Sequence, residues 1–311
     1  MAKYILKRII LMIPIMLGVS FIVYFIMSLT PGFDNPAANI LGLDASQEAL
    51  DQMNAMLGAD KSFFGRYLDY MWGVARGDFG ISYRTQLSVS GEILHRFPVT
   101  MTLAAFSAIF SLLVGVPIGI LSAIRQYHLT DYVSRVIAML LTAIPSFCFG
   151  LGSLLIFALK LKILPANGID SIKGYILPCL ALAMTSLGSM IRMTRSTMLE
   201  VIRQDYIRTA RAKGQTERKI IVRHELRNAM IPIVTVAGLN FGRELGGAVI
   251  IESVFAIPGL GTYVLTAVNN RDLPGVLGAV ILLSLAFSII NLIVDVIYSY
   301  IDPRIKSQYS R

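Results

Sequence analysis

Few side chains in this sequence could perform catalysis or hold a metal. The histidines His95, His128 and His224 lie far apart, without an HExxH or CxxC motif. Cys148 and Cys179 lie inside apolar stretches and offer neither a disulfide framework nor a metal-binding spacing. The chain also lacks a GxxxxGK[ST] loop to cradle nucleotide phosphates, and it lacks a GxSxG motif. We therefore expect no catalytic residue, no metal site and no cofactor bound by this chain.

Polar residues do interrupt one long apolar stretch. Asn240, Arg243 and Gly247 recur at helical spacing and form one stripe, and Glu244 is adjacent to Arg243. Ionisable groups inside a membrane helix are costly, so they indicate function by default. Neighbouring residues on a helix do not face each other, so Arg243 and Glu244 each need another partner. The stripe indicates either a polar pathway through the membrane or a buried network between helices.

A second candidate is the basic stretch 192–228. Residues 191–229 hold ten Lys or Arg against four Asp or Glu. Helix-forming residues dominate up to Lys213, Gly214 breaks the pattern, and Thr216 followed by Glu217 suits a new helix start. We predict a helix, a glycine turn and a second helix. A long structured loop of this kind indicates a docking surface.

The elements that carry these residues are apolar enough to cross a membrane. The chain has 311 residues, of which 55% are hydrophobic and only 15% are charged. A run of about 18 apolar residues suffices to span the hydrocarbon core. We predict an all-α membrane protein with six spans, which are 9–29, 99–123, 136–159, 175–191, 229–254 and 276–300. Prolines within these spans are expected to produce kinks, and Gly115 with Gly119 forms a GxxxG packing signal.

The distribution of Lys and Arg predicts the orientation. Six spans place both termini and the basic stretch on one side, which should be cytoplasmic, and topology then accounts for the net charge of +9 without nucleic acid. The opposite, outer segment 31–98 has five Lys or Arg against eight Asp or Glu. The predicted regions are therefore 1–30 with the first span, the outer segment 31–98, five spans in 99–300 with the loop 192–228, and a cytoplasmic tail, 301–311.

The outer segment 31–98 predicts two short amphipathic helices. Asp44 with Gln47 resembles a capping box, and Gly58 suits a helix end. The apolar positions at helical spacing are Leu50, Met53 and Leu57 in the first helix, and Phe64, Tyr67, Leu68, Met71 and Trp72 in the second. The helices would lie against the membrane surface or the spans, and a plain structural cap is the alternative. The glycine- and proline-rich loop 256–274 is expected to fold back toward the membrane.

The loop sequences Asp205–Gly214 and Arg223–Asn228 resemble the coupling loop of ABC-importer permeases, above all the dipeptide, oligopeptide and nickel subfamily. Similar matches follow in order along nearly the whole chain, at Gly77–Ser82, Arg96–Leu103, Ile144–Phe147, Gly246–Phe255, Pro258–Gly261, Asn291–Asp295 and Asp302–Arg304. One position departs from the general family motif E-A-A-x-x-x-G. With Gly214 as its glycine, Arg208 stands in place of the glutamate, so a salt bridge made through that glutamate does not carry over.

The resemblance implies one permease subunit of an importer. Its expected partners are a homologous second permease, two ATP-binding subunits that hold ATP and Mg²⁺, and an external substrate-binding protein. The residues expected at the ATPase contact are Asp205, Tyr206, Arg208, Thr209, Ala210, Arg211, Lys213 and Gly214. The stripe of Asn240, Arg243, Glu244 and Gly247 becomes a candidate pathway for a peptide zwitterion.

Three alternatives stay open at this point. The same machine could import nickel or a metal–chelator complex. A membrane enzyme would need a nucleophile and base, or a metal cluster, within the spans, and no histidine lies in any predicted span. A proton-coupled carrier would lack the helix–glycine–helix loop and would usually contain repeats within one chain.

Overall fold

The computed structural model of the chain describes residues 2–42 and 45–301, and over these residues the structure is helical with irregular connections. The helices are α1 (Ala2–Ser28), α2 (Pro36–Leu41), α3 (Gln47–Met56), α4 (Phe63–Ala75), α5 (Val89–Ile124), α6 (Leu129–Ala143), α7 (Ser146–Ser153), α8 (Ile172–Ile202), α9 (Asp205–Ala212), α10 (Glu217–Lys219), α11 (Arg227–Val254), α12 (Leu260–Asn269) and α13 (Leu273–Ile301). Two π-helical turns, Leu154–Lys160 and Ile220–Leu226, follow α7 and α10. The expected fold class, an all-α membrane protein, is confirmed.

Five helical segments of the described chain are long and apolar enough to cross a membrane. They are Ile5–Ser28, Val89–Ile124, Ile172–Ile202, Glu217–Val254 and Leu273–Ile297. They coincide with five of the six predicted spans, but α8 continues eleven residues beyond the predicted end at Ile191. Residues 192–202, the first part of the predicted helical loop 192–228, therefore continue α8.

The predicted third span, 136–159, is a broken pair rather than a kinked helix. Helix α6 and the segment Ser146–Lys160 are bent by 96° relative to each other. Pro145 disfavours helical backbone at the residue before it, and Ile144 accordingly has an extended conformation with ψ of 123°. This helix pair is therefore either one membrane span with a break or a loop that enters the membrane and turns back.

The chain divides into two compact units, and the boundaries fall within α1, α5 and α13 and between α11 and α12. The core unit comprises 101–257 and 289–301 with residues 2–5. Its centre is α8, which packs against α6, α7 and α11. Glycines permit close approach here, since a Cβ on Gly119 of α5 would lie 2.6 Å from the Cβ of Thr194 in α8. The predicted GxxxG packing site is thus a real contact.

The cap unit comprises residues 6–100 and 258–288. Helix α4 packs against α1, where the Tyr67 hydroxyl donates to the carbonyl oxygen of Leu17 (2.9 Å) and Tyr24 donates to that of Phe63 (3.1 Å). The two predicted amphipathic helices are α3 and α4, and α2 is an additional helix. Gly58 has the positive φ of +67° expected at the end of α3. The side chain of Ser46 caps the start of α3, while the predicted cap Asp44 and the tail 302–311 lie outside the described residues.

Candidate functional site

The predicted helix–glycine–helix unit is present in the core unit. Helix α9 ends at Ala212, Gly214 has a φ of +75°, and helical structure resumes at Glu217. A residue with a side chain rarely adopts this φ, which explains the glycine. Two residues of α9, Ile207 and Ala210, are buried and hold it against the surrounding helices.

The opposite face of α9 is open. Asp205, Tyr206, Arg208, Thr209 and Arg211 are exposed, as are Lys213 and Gly214 in the turn. Of the eight residues expected at a partner contact, only Ala210 points into the protein. Helix α9 therefore combines an apolar face fixed to the core unit with a charged face available to another protein.

Arg211 makes contacts within the loop itself. Its Nε donates to Glu217 Oε1 (2.9 Å), and its Nη2 donates to Glu225 Oε1 (3.2 Å). The hydrogen bond to Glu217 raises the pKa of the Arg211 guanidinium above its usual range, so it stays charged. Glu225 is only 1% exposed, and its Oε2 has no hydrogen-bond partner within the described part of the chain. Arg211 thus joins α9 to the helical turns on the far side of Gly214.

A buried ion pair that the sequence analysis missed braces α8. Arg195 Nε and Nη2 donate to the two carboxylate oxygens of Asp131 (2.6 and 2.9 Å), and Ser122 Oγ and the backbone nitrogen of Tyr127 also donate to it. Asp131 is fully buried. The pairing joins the first turn of α6 to the last turns of α8, which lead into α9. Its only sequence signal was an acidic residue in the first turn of α6.

The predicted stripe on α11 divides between two environments. Asn240 is buried and its Nδ2 donates to the carbonyl oxygen of Ser186 in α8 (3.5 Å). Glu244 is also buried, and neither carboxylate oxygen has a hydrogen-bond partner among the described residues. Gly247 faces α8 as well, since a Cβ there would lie 3.2 Å from Leu182 Cδ1. Arg243 is the exposed member, and its Nη1 donates to Asn240 Oδ1 (3.4 Å).

In the cap unit, Asp272 joins the segment before α5 to the start of α13. Its carboxylate accepts hydrogen bonds from Ser82 Oγ and from the backbone nitrogens of Tyr83 (3.0 Å) and Gly275 (3.3 Å). Burial raises the pKa of Tyr83 to about 12. The loop 256–274 is thus largely ordered by α12 and by Asp272. An aspartate two residues before a proline is a helix-start signal, and it could have indicated that Asp272 accepts a hydrogen bond from Gly275 at the start of α13.

The cap unit also holds a cavity of about 570 Å³ whose lining combines apolar side chains with several charged ones. Its lining includes Lys61, Arg66, Asp69, Asp78 and Arg271. The lining residues come from the end of α1, from the outer segment 31–98 and from the loop 256–274. Among the described residues, no group of three or more His, Cys, Asp or Glu side chains is arranged to hold a metal.

Comparison with protein families gives two matches that together cover most of the chain. Residues 115–307 match the model of the binding-protein-dependent transport system inner membrane component. Residues 1–104 match the model of the N-terminal region of membrane components of the same systems.

Curated relatives match over their full length. A dipeptide transport system permease protein, DppB, from Alkalihalophilus pseudofirmus is 39% identical over 334 residues, covering 98% of this chain and 100% of that protein. A glutathione transport system permease protein, GsiC, from Salmonella choleraesuis is 40% identical over 306 residues, covering 98% of this chain and 99% of that protein.

Solved structures share the fold. An inward-facing structure of the MetNI methionine ABC transporter aligns with a TM-score of 0.58 at 18% identity, covering 68% of this chain and 96% of the other. A crystal structure of an amino acid ABC transporter with histidines aligns with a TM-score of 0.53 at 17% identity, covering 68% and 94%.

Proposed function

The chain belongs to the family of inner-membrane components of binding-protein-dependent transport systems, and from this membership we propose that it is a permease subunit of an ABC importer for dipeptides or oligopeptides. The observation that carries the proposal is the match to peptide and glutathione permeases across 98% of the chain, at 39–40% identity. In this proposal the chain forms half of a translocation pathway and performs no catalysis.

The proposed assembly contains a homologous second permease, two ATP-binding subunits that bind ATP and Mg²⁺, and an external substrate-binding protein. The excess of basic residues in 191–229 supports a cytoplasmic position for α9 and for both termini. The segment 31–98 then lies on the outer side. Its surface around the cavity, which carries charges of both signs, supports a contact with the binding protein.

Helix α9 is the proposed contact with the ATP-binding subunits. Its charged face is open, and its buried face shares one apolar cluster with Met198 and Val201 of α8 and with Ala229 and Ile233 of α11. A displacement of α9 by a partner would therefore be passed to two long helices together. Gly214 sets the turn that brings α11 back, and Arg211 closes that turn with its two carboxylate partners.

Arg243 is the proposed pathway residue of α11. It is exposed on a helix of which Asn240, Glu244 and Gly247 face α8. A guanidinium is well suited to bind a carboxylate in two hydrogen bonds, and every linear peptide carries one at its C-terminus. In this proposal, Asn240 orients Arg243 through the 3.4 Å contact, and the buried Glu244 supports the helix packing.

The first experiment measures ATP hydrolysis by the assembled transporter in proteoliposomes, with the binding protein and with either short peptides or nickel. Stimulation by peptides supports the proposal. Stimulation by nickel alone would keep the importer and replace the substrate. If no partner copurifies and no hydrolysis is found, the role of α9 as an ATPase contact is refuted.

The second experiment tests Arg243 with matched peptides that have a free or an amidated C-terminus. Wild type and Arg243→Lys should prefer the free carboxylate, and Arg243→Ala should lose that preference while still hydrolysing ATP. If Arg243→Ala kept the preference and the transport rate unchanged, Arg243 would not line the pathway.

A further inference from the structure

Helix α4 has an apolar stripe that its own unit leaves uncovered. Phe64, Leu68 and Trp72 recur every four residues and are 63%, 63% and 62% exposed. The adjoining face of the same helix packs against α1 and includes Tyr67, which is 6% exposed. The apolar surface of α4 is therefore wider than the part that α1 covers.

The remaining side of α4 is polar. Arg66 and Asp69 contribute to the lining of the 570 Å³ cavity of the cap unit. Asp69 forms an ion pair with Lys61 (2.6 Å), and Arg66 forms one with Asp34 (3.0 Å). The helix thus presents charged side chains to the cavity on one side and an apolar surface on the other.

The contacts of α4 with α1 determine how deep in the membrane this stripe lies. Tyr67 bonds to Leu17 and Ser20, and Tyr24 bonds to Phe63. These α1 residues lie in the middle and the second half of the span Ile5–Ser28, not beyond its end. Helix α4 therefore lies beside the membrane-crossing part of α1, and its 13 residues are too few to cross the bilayer themselves, which takes about 20.

The stripe also continues a surface of α1 that lipid is expected to cover. Only 11% of the most apolar window of the α1 span is buried within the chain. The ring of Phe64 stacks on that of Phe21 in α1, with centroids 6.1 Å apart and planes 12° apart, and the nearby Ile22 and Phe25 are 59% and 50% exposed. A helix with one apolar and one charged side is the form that inserts its apolar side among lipids.

We propose that the Phe64–Leu68–Trp72 stripe contacts the acyl chains of one leaflet of the membrane, which is the outer leaflet in the orientation proposed above, so that α4 forms a wall between lipid and the cavity of the cap unit. Arg76 marks the edge of the stripe, where its guanidinium lies 4.8 Å from the centre of the Trp72 ring. Long basic side chains beside an apolar surface extend toward headgroup phosphates. The contact with lipid needs only membrane insertion and is independent of the transported substrate, while the choice of leaflet rests on the proposed orientation.

The chain offers a direct probe, because Trp72 is its single tryptophan. The full chain is reconstituted into liposomes whose phospholipids are brominated near the headgroup, at mid-chain or near the chain end. We expect a loss of most Trp72 emission with at least one brominated lipid, a blue-shifted maximum without bromine, and little quenching by aqueous iodide. Quenching by iodide with no effect of any brominated lipid would overturn the proposal.

Matched variants separate the stripe from the rest of the cap unit. In Trp72→Phe with Leu68→Trp, the new indole should be quenched by lipid as Trp72 is. In Trp72→Phe with Met56→Trp, the indole lies at an 81% exposed position outside the stripe and should respond to iodide instead. Equal lipid quenching at both positions would mean that the stripe is not distinguished from other exposed residues.

The last arm uses the assembled transporter and subtracts the emission of the Trp72→Phe complex. Lipid quenching of Trp72 should persist when the second permease and the binding protein are present. If assembly abolishes this quenching, a partner protein rather than lipid covers the stripe, and the proposal fails.

Discussion

Removing the guanidinium of Arg211 should loosen the turn between α9 and α11, because the change leaves a buried carboxylate alone. Glu225 is 1% exposed, and its hydrogen bond from Arg211 Nη2 is 3.2 Å long. The other Glu225 oxygen has no partner within the described residues. In Arg211→Ala, the buried carboxylate of Glu225 would lose the hydrogen bond that Arg211 donates to its Oε1.

The expected size follows from the charged hydrogen bond, which contributes about 1.5–3 kcal/mol when its partner stays buried. Since about 1.4 kcal/mol corresponds to a factor of ten, the amides of 205–226 should exchange with deuterium roughly ten- to a hundredfold faster. Mass spectrometry of the assembled transporter measures this exchange, and peptides from α6 serve as the internal reference.

Two variants control this prediction. Arg208 is 75% exposed and pairs with an exposed Asp205 at 3.6 Å, so Arg208→Ala should change the exchange very little. Adding Glu225→Gln to Arg211→Ala removes the stranded charge and should restore most of the protection. The reasoning is refuted if Arg208→Ala matches Arg211→Ala, or if the double variant exchanges faster than Arg211→Ala.

Three further predictions concern the backbone and the packing of the core unit. Gly214→Ala should lower transport only mildly, since the positive φ costs about 1–2 kcal/mol and a Cβ would meet nothing within 4 Å. Gly214→Pro should abolish transport, because the φ of proline cannot be positive, while assembly is still detected by copurification. Gly119→Ala places a Cβ within 2.6 Å of a neighbouring side chain and should destabilise the protein by about 1–3 kcal/mol, which would lower the thermal unfolding midpoint in detergent. The control Gly152→Ala has open space around the new Cβ and should leave the midpoint unchanged. Asp131→Ala should destabilise by about 1.5–3 kcal/mol because the half-buried Arg195 loses its charged hydrogen bonds. Asp131→Ala with Arg195→Met should recover most of the unfolding midpoint, and no recovery would show that the pair is not what the single variant breaks.

Features set by local sequence were predictable. Long apolar runs identified five spans, because crossing the bilayer demands length and low charge whatever the tertiary structure is. Gly214 and Gly58 were placed at turns and both have positive φ. The position of Gly119 in a GxxxG motif was enough to suggest a close helix contact, and α8 provides it.

Features that depend on distant residues were not predictable. Asp131 and Arg195 are 64 positions apart, so nothing in the local pattern joins them, and Arg195 was counted only as a topology signal. The break at Pro145 was underestimated, because many prolines within membrane helices merely kink them. The contacts of Arg211 with Glu217 and Glu225 within the loop were not foreseen, and its expected contact with a partner protein stays a prediction.

The internal pairing of Arg211 bears on how this loop could work without the glutamate of the general family motif. Arg208 stands at the glutamate position and is exposed, so it cannot brace the loop from within. The acidic groups instead lie after Gly214, and Arg211 reaches back to them across the turn. Because Ile207 also anchors α9 in the apolar cluster shared with α8 and α11, α9 and the turns that follow it should move as one body when a partner displaces them.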